Sequence, residues 1–164
     1  MHLWAEAAPH LSVPAAKLSD AVYNRGTLPV REVEAARITI ARINDCQVCR
    51  TMRADGVPGA PDDAFYDALL AGDRGAAALS SRESLASEFA ERFATDHLAI
   101  DDDLWQRLHA VFDDGELVEL ALCVGAWLAF GRINRVFDVD GACRIPAGHV
   151  GGRTSTGADV GASS

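Results

Sequence analysis

Cys46 and Cys49, in the stretch Asp45-Cys46-Gln47-Val48-Cys49-Arg50, are the residues whose types and spacing suit chemistry. If Asn44 or Asp45 caps a new helix, Cys46 falls in its first turn and Cys49 one turn on, on the same face. Side chains so placed have Cβ atoms about 5–6 Å apart, a small adjustment from disulfide geometry. Unpaired backbone N–H groups and the positive dipole end of such a helix favour a thiolate, most of all at Cys46. The chemistry this predicts is that of a redox-active dithiol.

Other uses of two cysteines are less well supported. A structural zinc site needs four ligands at ordered spacing, but Cys123 lies in an apolar helical stretch and Cys143 in a Gly/Ser/Thr-rich tail. We therefore expect no metal and no cofactor. A thioredoxin-like oxidoreductase sets its Cys-x-x-Cys after a strand, whereas a helix precedes it here. The plainest alternative is a pair of reduced cysteines that only pack, since free Cys behaves as a small hydrophobe.

The elements that must hold the pair read as helices. Val33, Ala36, Ile40 and Ile43 recur at helical spacing in the segment that runs into the motif, with Thr27 as its expected cap and Pro29 near its first turn. The motif helix is expected to run to about Gly56. Upstream, Pro14 to Asn24 has apolar residues at helical spacing and stops before Gly26. Downstream come a short helix over Asp62 to Leu70, one from a capping box at Ser80/Glu83 through Leu85, Phe89 and Phe93 to about Asp96, and one entered at Asp101-Asp102-Asp103. The last runs from Glu116 to about Phe137, is the most apolar, and is expected to be central. No alternating strand pattern occurs. The expected fold is all-α, a single-domain bundle of about six to seven helices over residues 1–140, followed by a flexible Gly/Ser-rich tail over 141–164.

The totals exclude some partners. The chain has 164 residues and a formal net charge of −9, with no dense Lys/Arg run, so neither nucleic acid nor an anionic membrane surface is expected. The longest apolar run, Leu120 to Phe130, is short of the roughly 18–20 residues that span a bilayer. Met1 to Glu6 lacks the basic and apolar regions of a signal peptide, which makes the cytoplasm the simplest address. With 49% hydrophobic residues the chain has more apolar surface than a lone bundle hides, which predicts an exposed apolar stripe on at least one helix.

Glu34 stands twelve residues before Cys46, where a reversal at Asn44-Asp45 folds it back toward the pair. The pattern Glu34-x11-Cys46-x2-Cys49 lies within Leu28-Pro29-Val30-Arg31-Glu32 and Ala36-Arg37-Ile38-Thr39-Ile40-Ala41-Arg42-Ile43-Asn44-Asp45. It resembles the core of the carboxymuconolactone decarboxylase and alkylhydroperoxidase D superfamily. The likeness extends through the Ser80 to Phe93 helix, Asp101-Asp102, Glu116 to Leu120 and Asn134-Arg135, covering about 28–138.

This resemblance implies an all-α homo-oligomer (trimer, dimer or hexamer) whose active members reduce peroxides with the cysteine pair. Carried over, Cys49 attacks the peroxide, Cys46 resolves the sulfenic acid to a disulfide, and Glu34 belongs to a proton relay. The implied partners are a peroxide or other small organic substrate and a reductant, either a dithiol protein or a small thiol. One position departs from the pattern: the relay histidine, four residues after the second cysteine, is here Arg53. Arginine does not give up its proton near neutral pH, so it cannot be the general base. It can lower a thiol pKa by charge, or pair with Glu34. Val48 stands where some members have histidine or tyrosine. Of the five histidines, His2 and His10 lie in the arm, His149 in the tail, and only His97 or His109 from a neighbouring subunit offers a substitute. Two alternatives to a peroxide reductase remain: a decarboxylase-branch lyase acting on a small lactone or keto acid, and a non-enzymatic redox sensor or scaffold.

Overall fold

A computed structural model describes residues 8–137; the expected tail, with Cys143 and His149, and the first residues, with His2, lie outside the described residues. Among the described residues seven α-helices follow one another: α1 (Pro9–Asn24), α2 (Val30–Ile43), α3 (Gln47–Thr51), α4 (Asp63–Ala71), α5 (Ser81–Thr95), α6 (Asp102–His109) and α7 (Asp114–Val136), with a 3-10 turn at His97–Ala99. No strand occurs among the described residues, so the all-α reading holds.

The central element is α2, not α7 as its composition suggested. Every residue from Glu34 to Ala41 is buried, because α5, α7 and α4 pack around this helix. An amphipathic helix normally leaves its polar face to water, but enclosure on all sides forces Glu34, Arg37 and Thr39 to find partners inside. Thr39 does so locally: its Oγ1 lies 2.8 Å from the Ala35 carbonyl and 2.8 Å from Ser87 Oγ on α5. Small residues at Ala35 and Ala36 on α2 and at Ala86 and Ala90 on α5, all fully buried, fit a close approach of the two helices. Around them Ile38, Ile40, Phe65, Leu69, Phe89, Leu108, Leu120 and Val124 form one continuous core. Burial of this apolar surface is the main force holding the helices together.

Side-chain caps mark most of the boundaries. The Ser80/Glu83 capping box opens α5, and Asp62 and Asp101 cap α4 and α6. Asp113 forms a capping box with Glu116, so α7 begins at Asp114 rather than at the expected Glu116. Thr27 does not cap α2. Its N–H and hydroxyl, with the Leu28 N–H, donate to the Glu119 carboxylate of α7 at 2.7–2.9 Å, which ties the α1–α2 loop to α7. α1 begins at Pro9 and passes through Pro14, the expected start; Pro9 suits a first turn, and Pro14 gives up one backbone hydrogen bond. Between α2, α5 and α7, Arg82 bonds Glu32, Glu116 and the Val111 carbonyl and lies over the Phe112 ring.

The expected exposed apolar stripe is on α7. Val118, Leu122, Ala129 and Val136 are exposed at helical spacing, and beside them Gly125 has nothing within 4 Å of where a Cβ would stand.

Candidate functional site

The dithiol segment is aimed by the way α2 stops. Asn44 follows the last turn, Asp45 takes a left-handed φ of +50°, and the N–H groups of Asp45 and Cys46 donate to the carbonyls of Arg42 and Ala41 at 3.2 and 3.1 Å. This is a Schellman arrangement, with Asp in the place more often given to Gly. Asn44 is buried and its side-chain amide donates to the Trp127 carbonyl of α7 at 3.1 Å, directly against Gly131. A bulkier residue than glycine at 131 would occupy that space. The turn is therefore fixed to both α2 and α7.

Cys46 is itself the N-cap of α3, a correction to the expectation that Asn44 or Asp45 would cap it and put Cys46 in the first turn. The Cys49 N–H donates to Cys46 Sγ at 3.2 Å. The two cysteines are joined as a disulfide, with Cα atoms 5.3 Å apart. Cys46 is buried, at 2% exposure, whereas Cys49 is half-buried. α3 ends at Thr51 rather than near Gly56, so Arg53 lies past the helix and not one turn beyond Cys49 on it.

Glu34 is brought under this segment, but its partner is Arg37 and not Arg53. Arg37 Nε and Nη2 each donate to a Glu34 oxygen at 2.6 Å, and both side chains are 2% exposed. The guanidinium also donates to the Cys49 carbonyl at 2.8 Å and the Met52 carbonyl at 3.0 Å. Arg37 thus joins the buried carboxylate to the backbone of the dithiol helix. Burial alone would lower the Arg37 pKa, but the hydrogen bonds and charge of Glu34 outweigh it and raise it. From α4, the Tyr66 hydroxyl donates to Glu34 Oε2 at 2.8 Å and accepts from the Ala54 N–H at 3.1 Å. Burial, and then the Glu34 charge, push the Tyr66 hydroxyl up to about 12.

The Arg53 guanidinium carbon lies over the Tyr66 ring, 4.2 Å from its centre. Its Nη1 donates to the carbonyls of Arg50 and Met52 at 2.9 and 3.0 Å, so Arg53 and Arg37 share the Met52 oxygen. No carboxylate among the described residues pairs with Arg53. Arg50 reaches Asp45 at 3.3 Å, and Arg135 of α7 reaches the same carboxylate at 3.8 Å. Within one chain the described histidines lie apart from the site: His109 stacks on Trp105 and faces Asp114, and His97 opens the 3-10 turn. Cys123 is buried in α7. Arg37 and Tyr66 are the site residues that the sequence reading missed. A Glu/Arg pair at i, i+3 was visible as a signal for Arg37; nothing in the sequence singled out Tyr66.

Among solved structures, the chain is similar to a protein of unknown function from Agrobacterium tumefaciens, provisionally described as an antioxidant defence protein AhpD. The TM-score is 0.67 at 21% identity, over 83% of this chain and 93% of that one. The fold is that of the alkylhydroperoxidase D-like proteins. A second structure with this alkylhydroperoxidase D-like fold is an uncharacterized peroxidase-related protein from Silicibacter sp. TM1040, with a TM-score of 0.62 at 17% identity, over 76% of this chain and 66% of that one. No family model and no curated protein matches the sequence. At these identities the alkylhydroperoxidase D-like likeness speaks for the helical architecture, and the chemistry must be argued from the residues. Among the described residues no helix is long and apolar enough to cross a membrane, and no cluster of His, Cys, Asp or Glu suits a metal ion.

Proposed function

We propose that the protein is a thiol-dependent reductant of hydroperoxides or disulfides that works by cycling the Cys46–Cys49 pair. The observation that carries this reading is the asymmetric pair: a disulfide between one buried and one half-buried cysteine, set on a fixed turn over a buried ion pair. Accessibility makes Cys49 the attacking thiol. Its thiolate takes the distal peroxide oxygen to give a sulfenic acid and releases an alkoxide, which is protonated to the alcohol. The Cys46 thiol then displaces water to form the disulfide, and an external dithiol returns both sulfurs to the reduced state. Cys46, held at the Cys49 N–H, is the resolving partner.

Arg53 takes part by charge. Its guanidinium, fixed between the Arg50 and Met52 carbonyls and the Tyr66 ring, favours the thiolate and moves no proton. Glu34 acts as the counter-ion of Arg37, and through Arg37 it positions the Cys49 carbonyl. The reading includes a homo-oligomer built on the exposed α7 stripe. It is tested by hydroperoxide turnover with a dithiol reductant: we expect turnover by the wild type and loss of more than about a hundredfold in Cys49→Ser, as for removal of a nucleophile. Equal turnover by the two proteins overturns the reading. A reversible disulfide without turnover favours the redox sensor, which the missing histidine at position 53 also supports.

A further inference from the structure

The charges around the dithiol are unlike those of the molecule as a whole. The chain carries a formal −9, yet four guanidinium groups stand at the motif against two carboxylates. Arg37 is neutralised by Glu34 in a fully buried pair. Arg50 and Arg135 share the single charge of Asp45. Arg53 has no carboxylate partner among the described residues. Asp55, two residues on and exposed, makes no ion pair with it. Nor is Arg53 a loose surface side chain: the Arg50 and Met52 carbonyls hold its Nη1 and its guanidinium carbon lies over the Tyr66 ring, which fixes it beside the last turn of the dithiol helix. A preorganised guanidinium with unused donors is suited to carboxylate recognition.

We infer that Arg53 forms an anion subsite at the dithiol, so that the molecule Cys49 attacks bears a carboxylate near its reactive O–O or S–S bond. This rests on the dithiol reading above and adds the class of substrate. With a disulfide, the Cys49 thiolate attacks one sulfur, forming a mixed disulfide and releasing the first thiolate. Cys46 then attacks Cys49 Sγ and releases the second. Two protein thiols are oxidised, one disulfide is reduced, and the two thiol protons leave on the two released thiolates.

The test uses the fully reduced, full-length protein and two disulfide reagents, the dianionic dithiobis-nitrobenzoate and the uncharged 4,4′-dithiodipyridine, in single-turnover mixing. The ratio of the two rates cancels any change in thiolate population and reports the anion preference alone. We expect that ratio to fall about tenfold in Arg53→Gln, to be largely retained in Arg53→Lys, and to decline with added salt in the wild type. The wild-type salt arm stands even if a variant fails to fold. A second pair, a fatty-acid hydroperoxide and its methyl ester, shows whether the preference extends to the O–O bond; preference in either pair supports the subsite. Rates that respond to the thiol but show the same ratio in wild type and Arg53→Gln, with no salt dependence, overturn the anion subsite and leave the dithiol reading standing. Unreactivity toward both disulfides and both hydroperoxides overturns both.

Discussion

Three side chains beneath the dithiol share one oxygen-rich contact. Glu34 accepts from Arg37 and Tyr66, and Arg37 spends its remaining donors on the backbone of the motif. A buried ion pair adds little net stability over a well-packed apolar pair, but removing one partner leaves a bare charge in the interior. Glu34→Gln should therefore cost about 3–5 kcal/mol in urea unfolding, and replacing Glu34 and Arg37 together by Leu should recover much of that loss. Tyr66 gives a pH signature. Its hydroxyl is raised from 10.0 to about 12 in the fold, first by burial and then by the Glu34 charge, so the fold favours the neutral form. The stability this contributes is complete below pH 10 and is lost as pH rises toward 12. Alkaline titration of tyrosinate absorbance should show one of the two tyrosines ionising only as the protein unfolds, and Tyr66→Phe should remove that component. Glu34, Cys46 and Cys49 were legible in the sequence because their types and spacing are themselves the signal. Arg37 was not, since a charged residue on a helix is ordinarily read as solvated.

At the scale of the elements, the apolar period of Val33, Ala36, Ile40 and Ile43 located α2, and the cap residues Ser80, Glu83 and Asp101 located the starts of α5 and α6. The failures have one physical source, which is that a local pattern does not show what surrounds it. α2 has an amphipathic sequence, yet both of its faces are covered. Asp113, in the run Asp113-Asp114-Gly115 expected to separate two helices, also caps α7, because the same residue types serve both ends of a helix. The junction of α2 and α7 is tight in a way that no pattern announces. A Cβ built at Gly131 runs into the Asn44 amide and lies 3.2 Å from its Cγ. Gly131→Ala should displace Asn44 from the Trp127 carbonyl and cost about 1–3 kcal/mol, read as a lower Tm, despite alanine's better helix propensity.

For the molecule as a whole, composition foretold more apolar surface than one bundle covers, and among the described residues it emerges on α7 as well as at Leu11, Val13 and Leu18 of α1. The stripe of Val118, Leu122, Gly125, Ala129 and Val136 lies along the outer side of the helix whose inner side holds Leu120 and Val124 in the core. If copies of the chain meet there, Leu122, at 61% exposure, lies within the contact. Sedimentation analysis should then give an oligomer for the wild type and a monomer for Leu122→Glu, with the helical content of the fold kept.

α3 has five residues, none of them buried. Apart from its own first and last turns, it is held by one covalent crosslink, by the donors of Arg37, by Arg53 on the Arg50 carbonyl and by polar contacts of Gln47 and Arg50 with Asp45. Elsewhere the described helices are anchored by apolar burial, which a change of oxidation state does not touch. Reduction thus removes the one covalent fastening of a single short stretch, whose other ties are polar, and leaves the apolar core of the scaffold as it was. Opening of this stretch thereby becomes a local readout of the crosslink: amide hydrogens of residues 47–52 should exchange faster after reduction while those of α2 and α5 do not change.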